Sequence, residues 1–170
     1  MAVKQLVKPA QLPNDLIGVA GVHYVAYKLS LRGLIVLPTI RNTAGIDLLV
    51  HDPKTNGQAS LQVKTTLTKA SFWPTSKAAK CLRGPGAFHV FLRWLPAEER
   101  FEEFLENGDL VAERILQNAD DYVKRGNKEF AFWQLPKGET GRDALRDAWR
   151  NWAPPTPAVV ARQTGSECAS

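Results

Sequence analysis

The chain has 170 residues, 44% hydrophobic and 23% charged, a composition that suits one globular core and is short for two. No apolar run approaches the roughly 18 residues of a membrane span, and the opening MAVKQLVKPAQLP lacks the apolar centre of a secretory signal, so no membrane association and a cytoplasmic location are expected. The net charge of +5 is uneven: residues 1–100 carry 13 Lys and Arg against 5 Asp and Glu, whereas residues 101–170 carry 9 against 12.

In chain order, Asn14 or Asp15 is placed to cap a helix running to about Leu31. Ile17, Ala20, Gly21, Tyr24, Val25, Lys28 and Leu29 follow an i, i+3, i+4 rhythm, and Gly33 is a stop. The period then changes to short runs of branched residues, LIVLPTI (34–40), IDLLVH (46–51) and ASLQVKT (59–65). RNTAG and DPKTNG, with their turn-forming pairs, separate them. A helix followed by a three-stranded meander is expected. TKASFWPTSKAAKCLRGPG interrupts with a helical turn or two, and AFHVFLRWL (87–95) reads as a fourth, buried strand.

RFEEFL reads as an edge strand leaving through the turn ENGD. Asp109 is then placed to cap a helix striped by Leu110, Val111, Ile115 and Val123 and closed by Lys124-Arg125-Gly126. FAFWQL supplies a short strand and GRDALRDAWRNW a last helix. One domain over residues 1–152 is expected, with 153–170, rich in Pro, Ser, Thr and Ala, as a flexible tail. Cys81 and Cys168 are too few for a disulfide framework or a zinc cluster.

Between Asp52 and Glu98 lie Lys54, Lys64, Lys69, Lys77, Lys80, Arg83 and Arg93 with no acid among them, a stretch that suits a polyanion or a solvated basic surface. Lys69, Lys77, Lys80 and Arg83 are its candidate phosphate contacts. Phe72-Trp73-Pro74 inside this stretch suits contact with nucleic acid or a partner protein, or a clasp on the sheet. Trp94, Trp133, Trp149 and Trp152 are expected in the core, and Arg142, Arg146 and Arg150, beside Asp143 and Asp147, on a solvated salt-bridged face. His51 and His89 have no partner spacing and read as structural, and His23 as a helix-surface residue.

Chemistry is concentrated in GIDLLVHDPKTNGQASLQVKTT (45–66). In a strand, Gln62 and Lys64 point one way while Leu61 and Val63 point the other. If 46–51 pairs with 59–65, Asp47 comes alongside them. The carboxylate of Asp47, the amide oxygen of Gln62 and the carbonyl of Val63 are hard donors suited to Mg²⁺ or Mn²⁺. Lys64 would orient a water or stabilise charge building on a phosphate.

The run IGVAGVHYVAYKLSLRG…NTAGIDLLVHD…ASLQVKTT resembles the PD-(D/E)XK nuclease superfamily, above all its small Holliday-junction-resolvase-like and Mrr-like branches in their Q-x-K form. The resemblance covers about residues 14–95. It implies a restriction-endonuclease-like α/β fold with a mixed central sheet of 4–5 strands flanked by helices. It also implies metal-dependent cleavage of duplex or branched DNA by Asp47, Gln62 and Lys64, and a dimer would let two sites address two strands. GVAGVHYV departs from the family's G-x-x-G-E-x-x-V, with Val22 where a glutamate is expected, and His23, Asp15 and Asp52 are no obvious substitutes. The alternative is an inactive nuclease fold that binds DNA or a partner protein, as an immunity factor, inhibitor or accessory subunit would.

Overall fold

The structure, a computed structural model, describes residues 12–40, 45–67, 71–75, 82–128 and 130–156. Lys69, Lys77, Lys80 and both cysteines lie outside them. A helix, α1 (Asn14–Ser30), precedes strands β1 (Ile35–Pro38), β2 (Leu48–His51) and β3 (Gln58–Thr66). Then come β4 (Phe72–Pro74), β5 (Ala87–Leu95), β6 (Arg100–Asn107), α2 (Gly108–Lys124), β7 (Phe132–Gln134) and α3 (Glu139–Asn151). The main sheet has the order β1-β2-β3-β5-β6, and β4 pairs with β7 in a separate ribbon. β1, β2 and β3 form an antiparallel meander, β5 lies parallel to β3, and β6 returns antiparallel to β5. The fold is therefore the expected mixed sheet flanked by helices.

Helix α1 forms without the expected side-chain cap. Pro13 occupies the N-cap and its carbonyl accepts the amide of Ile17 at 3.1 Å, leaving Asn14 and Asp15 in the first turn. Proline suits this position because its fixed φ enters a helix readily and it has no amide to satisfy. Gly33, at φ 84°, makes the left-handed exit. Ile17, Gly21, Val25 and Leu29 form the buried stripe. At Gly21 the helix comes so close to β3 that a Cβ would collide with Thr65 Oγ1 and lie 3.2 Å from Leu92 Cδ1. Glycine is needed there for close approach.

The sheet has two unlike faces. Under α1 lie Leu48, Val50, Leu61, Val63, Val90, Leu92 and Leu105, with Val25, Leu29 and Trp149 closing one core. Val22 packs against this same cluster. On the other face, Phe91 and Phe104 meet Val111 and Ile115 of α2 together with Trp73 and Trp133 of the ribbon. Burying an aromatic side chain of this size contributes about 2–3 kcal/mol, so four rings at this junction hold the ribbon and α2 down.

Trp73 decides between the two readings of its segment. Phe72–Pro74 is a short strand, and the indole is 1% exposed with Nε1 donating to the Leu92 carbonyl at 3.1 Å, so it clasps the sheet and offers no face to a base; most of the stretch expected to hold a helical turn lies outside the described residues. ENGD is no exit turn. β6 runs straight into α2, and the N-cap is Asn107, whose side chain accepts from the amide of Asp109 at 2.8 Å, where Asp109 had been expected to cap. In the helical stripe Val111 and Ile115 are buried, but Leu110 and Val123 are exposed.

Trp133 and Trp149 are core residues as expected, while Trp94 and Trp152 are partly buried. The arginine face of α3 is only partly solvated. Arg150 pairs with Asp147 at 3.0 Å, but Arg146 turns inward to Glu102 of β6, its Nε at 2.9 Å. Past Ala153 the backbone still lies against the fold, Pro155 accepting the amide of Gln58 at 3.0 Å. No helix among the described residues is long and apolar enough to cross a membrane.

Candidate functional site

The site forms where β2 stops and β3 continues. β2 begins at Leu48, paired with Leu61, so the backbone of Gln62 and beyond loses its ladder partner on that side. Asp47 takes the place of the missing rungs. Its amide donates to the Leu61 carbonyl at 2.8 Å, its carbonyl accepts from Thr39 at 3.0 Å, and its Oδ2 accepts the amide of Val63 at 2.7 Å. Amide and carbonyl of one residue leave an extended strand on the same side, so the Val63 carbonyl is directed to the Asp47 side as well.

Register then decides which side chains share a face. Leu48 and Leu61 lie under α1, so their neighbours Asp47, Gln62 and Lys64 belong to the opposite face. Gln62 is 5% exposed, and its Oε1 is buried with no hydrogen-bond partner among the described residues. Orphaned oxygens of this kind are uncommon because desolvation without a bond costs about 1–3 kcal/mol. Lys64 is half-buried and makes no hydrogen bond or salt bridge among the described residues.

Burial pushes the Asp47 carboxyl above its ordinary value; the Val63 hydrogen bond and the positive charge of Lys64 act against that rise. An acid fixed by a backbone amide, an amide oxygen without a partner and a lysine thus face one side of one strand pair. Asp52 stays apart, its carboxylate holding the β2–β3 turn through the Lys54 amide and the Thr55 hydroxyl, each at 2.8 Å. His23 and Asp15 are exposed on α1.

The face that carries the site is open on one half and covered on the other. Over β5 and β6 it is roofed by α2 and the ribbon; over β1 and β2 it exposes Ile35, Leu37 and Leu49. A groove of about 490 Å³ runs here between these residues and residues 82–87, with His51 and the exposed Arg83 on its walls. Among the four candidate phosphate contacts, Arg83 is the one within the described residues.

Two further polar residues extend the row, and spacing in the sequence does not point to them. Gln62 is paired with His89 of β5, and His89 with Glu106 of β6. His89 is fully buried and stacks on Phe91 with ring centres 5.9 Å apart and planes at 11°. Glu106, 4% exposed, accepts from Trp133 Nε1 at 2.6 Å and pairs with Arg114 at 2.9 Å. Burial raises the Glu106 carboxyl above its ordinary value against those two partners. The available signal is alternation: His89 shares the strand face of Phe91, and Glu106 that of Phe104.

No protein-family model matches the chain, and no curated protein does. Among solved structures the chain is similar to the bacterial homing endonuclease I-Ssp6803I, at 14% identity and a TM-score of 0.46, over 81% of this chain and 89% of that one.

Proposed function

We propose that the chain is a metal-dependent nuclease of the PD-(D/E)XK type in its Q-x-K form, hydrolysing phosphodiester bonds in duplex or branched DNA. The observation that carries this reading is the Asp47 to Val63 hydrogen bond, which fixes a carboxylate against the strand that bears Gln62 and Lys64. The unpartnered Gln62 Oε1 fits a cation ligand, and with Asp47 and the Val63 carbonyl it would hold a Mg²⁺ or Mn²⁺. Such an ion supplies Lewis acidity toward a phosphate and lowers the pKa of a bound water.

The protein's own groups do the rest. Lys64, which makes no salt bridge among the described residues, would stabilise charge on a phosphate oxygen or orient the attacking water. Arg83, with Lys69, Lys77 and Lys80, neutralises flanking phosphates.

A second reading, a nuclease-derived binding module, is favoured by Val22. It packs into the cluster under α1, and the described residues hold no group of three acidic, His or Cys side chains placed to hold a metal ion, leaving Asp47 as the site's carboxylate. One experiment separates the two. With Mg²⁺ or Mn²⁺, the nuclease cuts linear, supercoiled or branched DNA, stops on chelation, and loses about 100-fold in rate as Lys64→Ala. Uncut DNA that binds in a steeply salt-dependent way means the binding module. DNA neither cut nor bound contradicts both nucleic-acid readings.

A further inference from the structure

Helix α1 is apolar on both sides. Its buried stripe, Ile17, Gly21, Val25 and Leu29, faces the sheet. Leu16, Val19, Ala20, His23, Tyr27 and Leu31 are all exposed, and at 100° per residue they fall within one arc of about 120° on the opposite side. A helix that is apolar all round is normally covered on both sides. The outer faces of α2 and α3 are of the ordinary solvated kind, with ion pairs such as Asp120 to Lys124 at 2.6 Å and Asp147 to Arg150 at 3.0 Å.

Charge narrows what can cover α1. From Leu16 to Leu31 the one charged residue is Lys28, and it lies on the flank, its Nζ 3.6 Å from Glu103. Residues 1–100 carry 13 Lys and Arg against 5 Asp and Glu, yet this face presents none of them, so it gives a polyanion nothing to hold. It suits a second copy of itself, because a two-fold axis sets any charge on such a face against its own image. The helix ends select the direction. Asp15 stands in the first turn and Lys28 in the last, with Arg32 exposed just beyond. Antiparallel pairing therefore brings acid near base and opposes the two helix dipoles, whereas parallel pairing sets like against like.

The area is sufficient. At exposures of 52%, 48%, 60% and 69%, Leu16, Val19, Tyr27 and Leu31 leave about 500 Å² per chain in water, at the upper end of what a monomer shows. Two such patches give about 1,000 Å², the lower bound for a specific interface.

We propose that the outer face of α1 is a self-association surface, through which two copies of the chain pair as an antiparallel helix dimer with the two-fold axis near His23. Tyr27 of one copy then lies against Val19 of the other. Because α1 covers the sheet face opposite the one that bears Asp47, Gln62 and Lys64, the two sites end on outer sides of the dimer. On the nuclease reading, such a pair serves two separate stretches of DNA.

The test is sedimentation equilibrium on the full-length chain from about 1 to 100 μM. The wild type is expected to approach twice the 18.8 kDa of one chain. Leu16→Glu and Tyr27→Lys each suit their own end of the helix dipole, so both are expected to keep a cooperative melt. Each acts twice in a symmetric dimer and is expected to weaken association by about 100-fold. Leu37→Glu, at a β1 residue that is 59% exposed, leaves association unchanged. In a chain carrying Cys81→Ser and Cys168→Ser, His23→Cys forms a disulfide-linked dimer under mild oxidation and Leu31→Cys does not.

A monomer at every concentration, association unchanged by either α1 substitution, or dissociation by Leu37→Glu overturns the inference. Crosslinking through Leu31→Cys as readily as through His23→Cys does the same. If either α1 variant lacks a cooperative melt, Val19→Lys takes its place. The metal site stands or falls separately, since none of these measurements requires Mn²⁺ or DNA.

Discussion

Asp47 accepts the amide hydrogen of Val63 at 2.7 Å, and Val63 is the residue between Gln62 and Lys64. The bond has two consequences that pull apart. It satisfies a strand amide that has no ladder partner, and it holds a carboxylate in a half-buried place where its charge is costly.

The first prediction separates those consequences. Burial raises the folded-state pKa of Asp47, so its contribution to stability is present below the ordinary value of 3.8 and is lost as pH rises through the folded value. Near pH 7, Asp47→Asn, which still accepts from Val63, is expected to unfold at equal or higher urea than the wild type. Asp47→Ala orphans the amide and is expected to lose about 1 kcal/mol. Neither variant should support metal-dependent cleavage. A destabilised Asp47→Asn at neutral pH would mean that the charge itself holds the fold.

Glu102 gives the opposite sign. Burial works to raise its carboxyl, but hydrogen bonds from Arg146 and Arg93 outweigh that and hold it below the ordinary carboxylate range. Its stabilising contribution is therefore present above the ordinary value of 4.5 and lost as pH falls through the folded value. Glu102→Gln leaves two arginines facing a neutral group and is expected to cost about 3 kcal/mol at pH 7, with the difference from wild type shrinking in acid. Chemical denaturation at pH 7 and pH 3 checks both parts.

The two glycines of the helical G-x-x-G pattern are predicted to behave differently. A Cβ at Gly18 meets nothing within 4 Å, so Gly18→Ala should stabilise α1 by about 0.5–1 kcal/mol. At Gly21 a Cβ collides with Thr65 Oγ1, and Gly21→Ala should cost about 1–3 kcal/mol. Thr65→Ala in the same chain should recover much of that loss. Urea midpoints of the four proteins test this directly.

Much of the first half was legible because its signals are local. Branched runs split by Asp-Pro and Asn-Gly turns identify β1 to β3, and the i, i+3, i+4 rhythm with Gly33 identifies α1. Asp47, Gln62 and Lys64 could be brought together from alternation and one hairpin pairing. The pairing of Phe72–Pro74 with β7 joins segments about sixty residues apart, so nothing near Trp73 tells that it is buried. The partnership of Gln62 with His89 was hidden for the same reason. It depends on a parallel pairing of β3 and β5, whose register no turn dictates. Asn107 took the cap from Asp109 because β6 enters α2 without a turn.

The central claim is that Asp47, Gln62 and the Val63 carbonyl form a cation site beside Lys64. Anomalous scattering from crystals soaked in Mn²⁺ tests it most directly. A single strong peak is expected within about 2.5 Å of an Asp47 carboxylate oxygen and of Gln62 Oε1, lost in Asp47→Ala. A peak elsewhere on the molecule, or none at Asp47 while the crystals remain ordered in Mn²⁺, would contradict it.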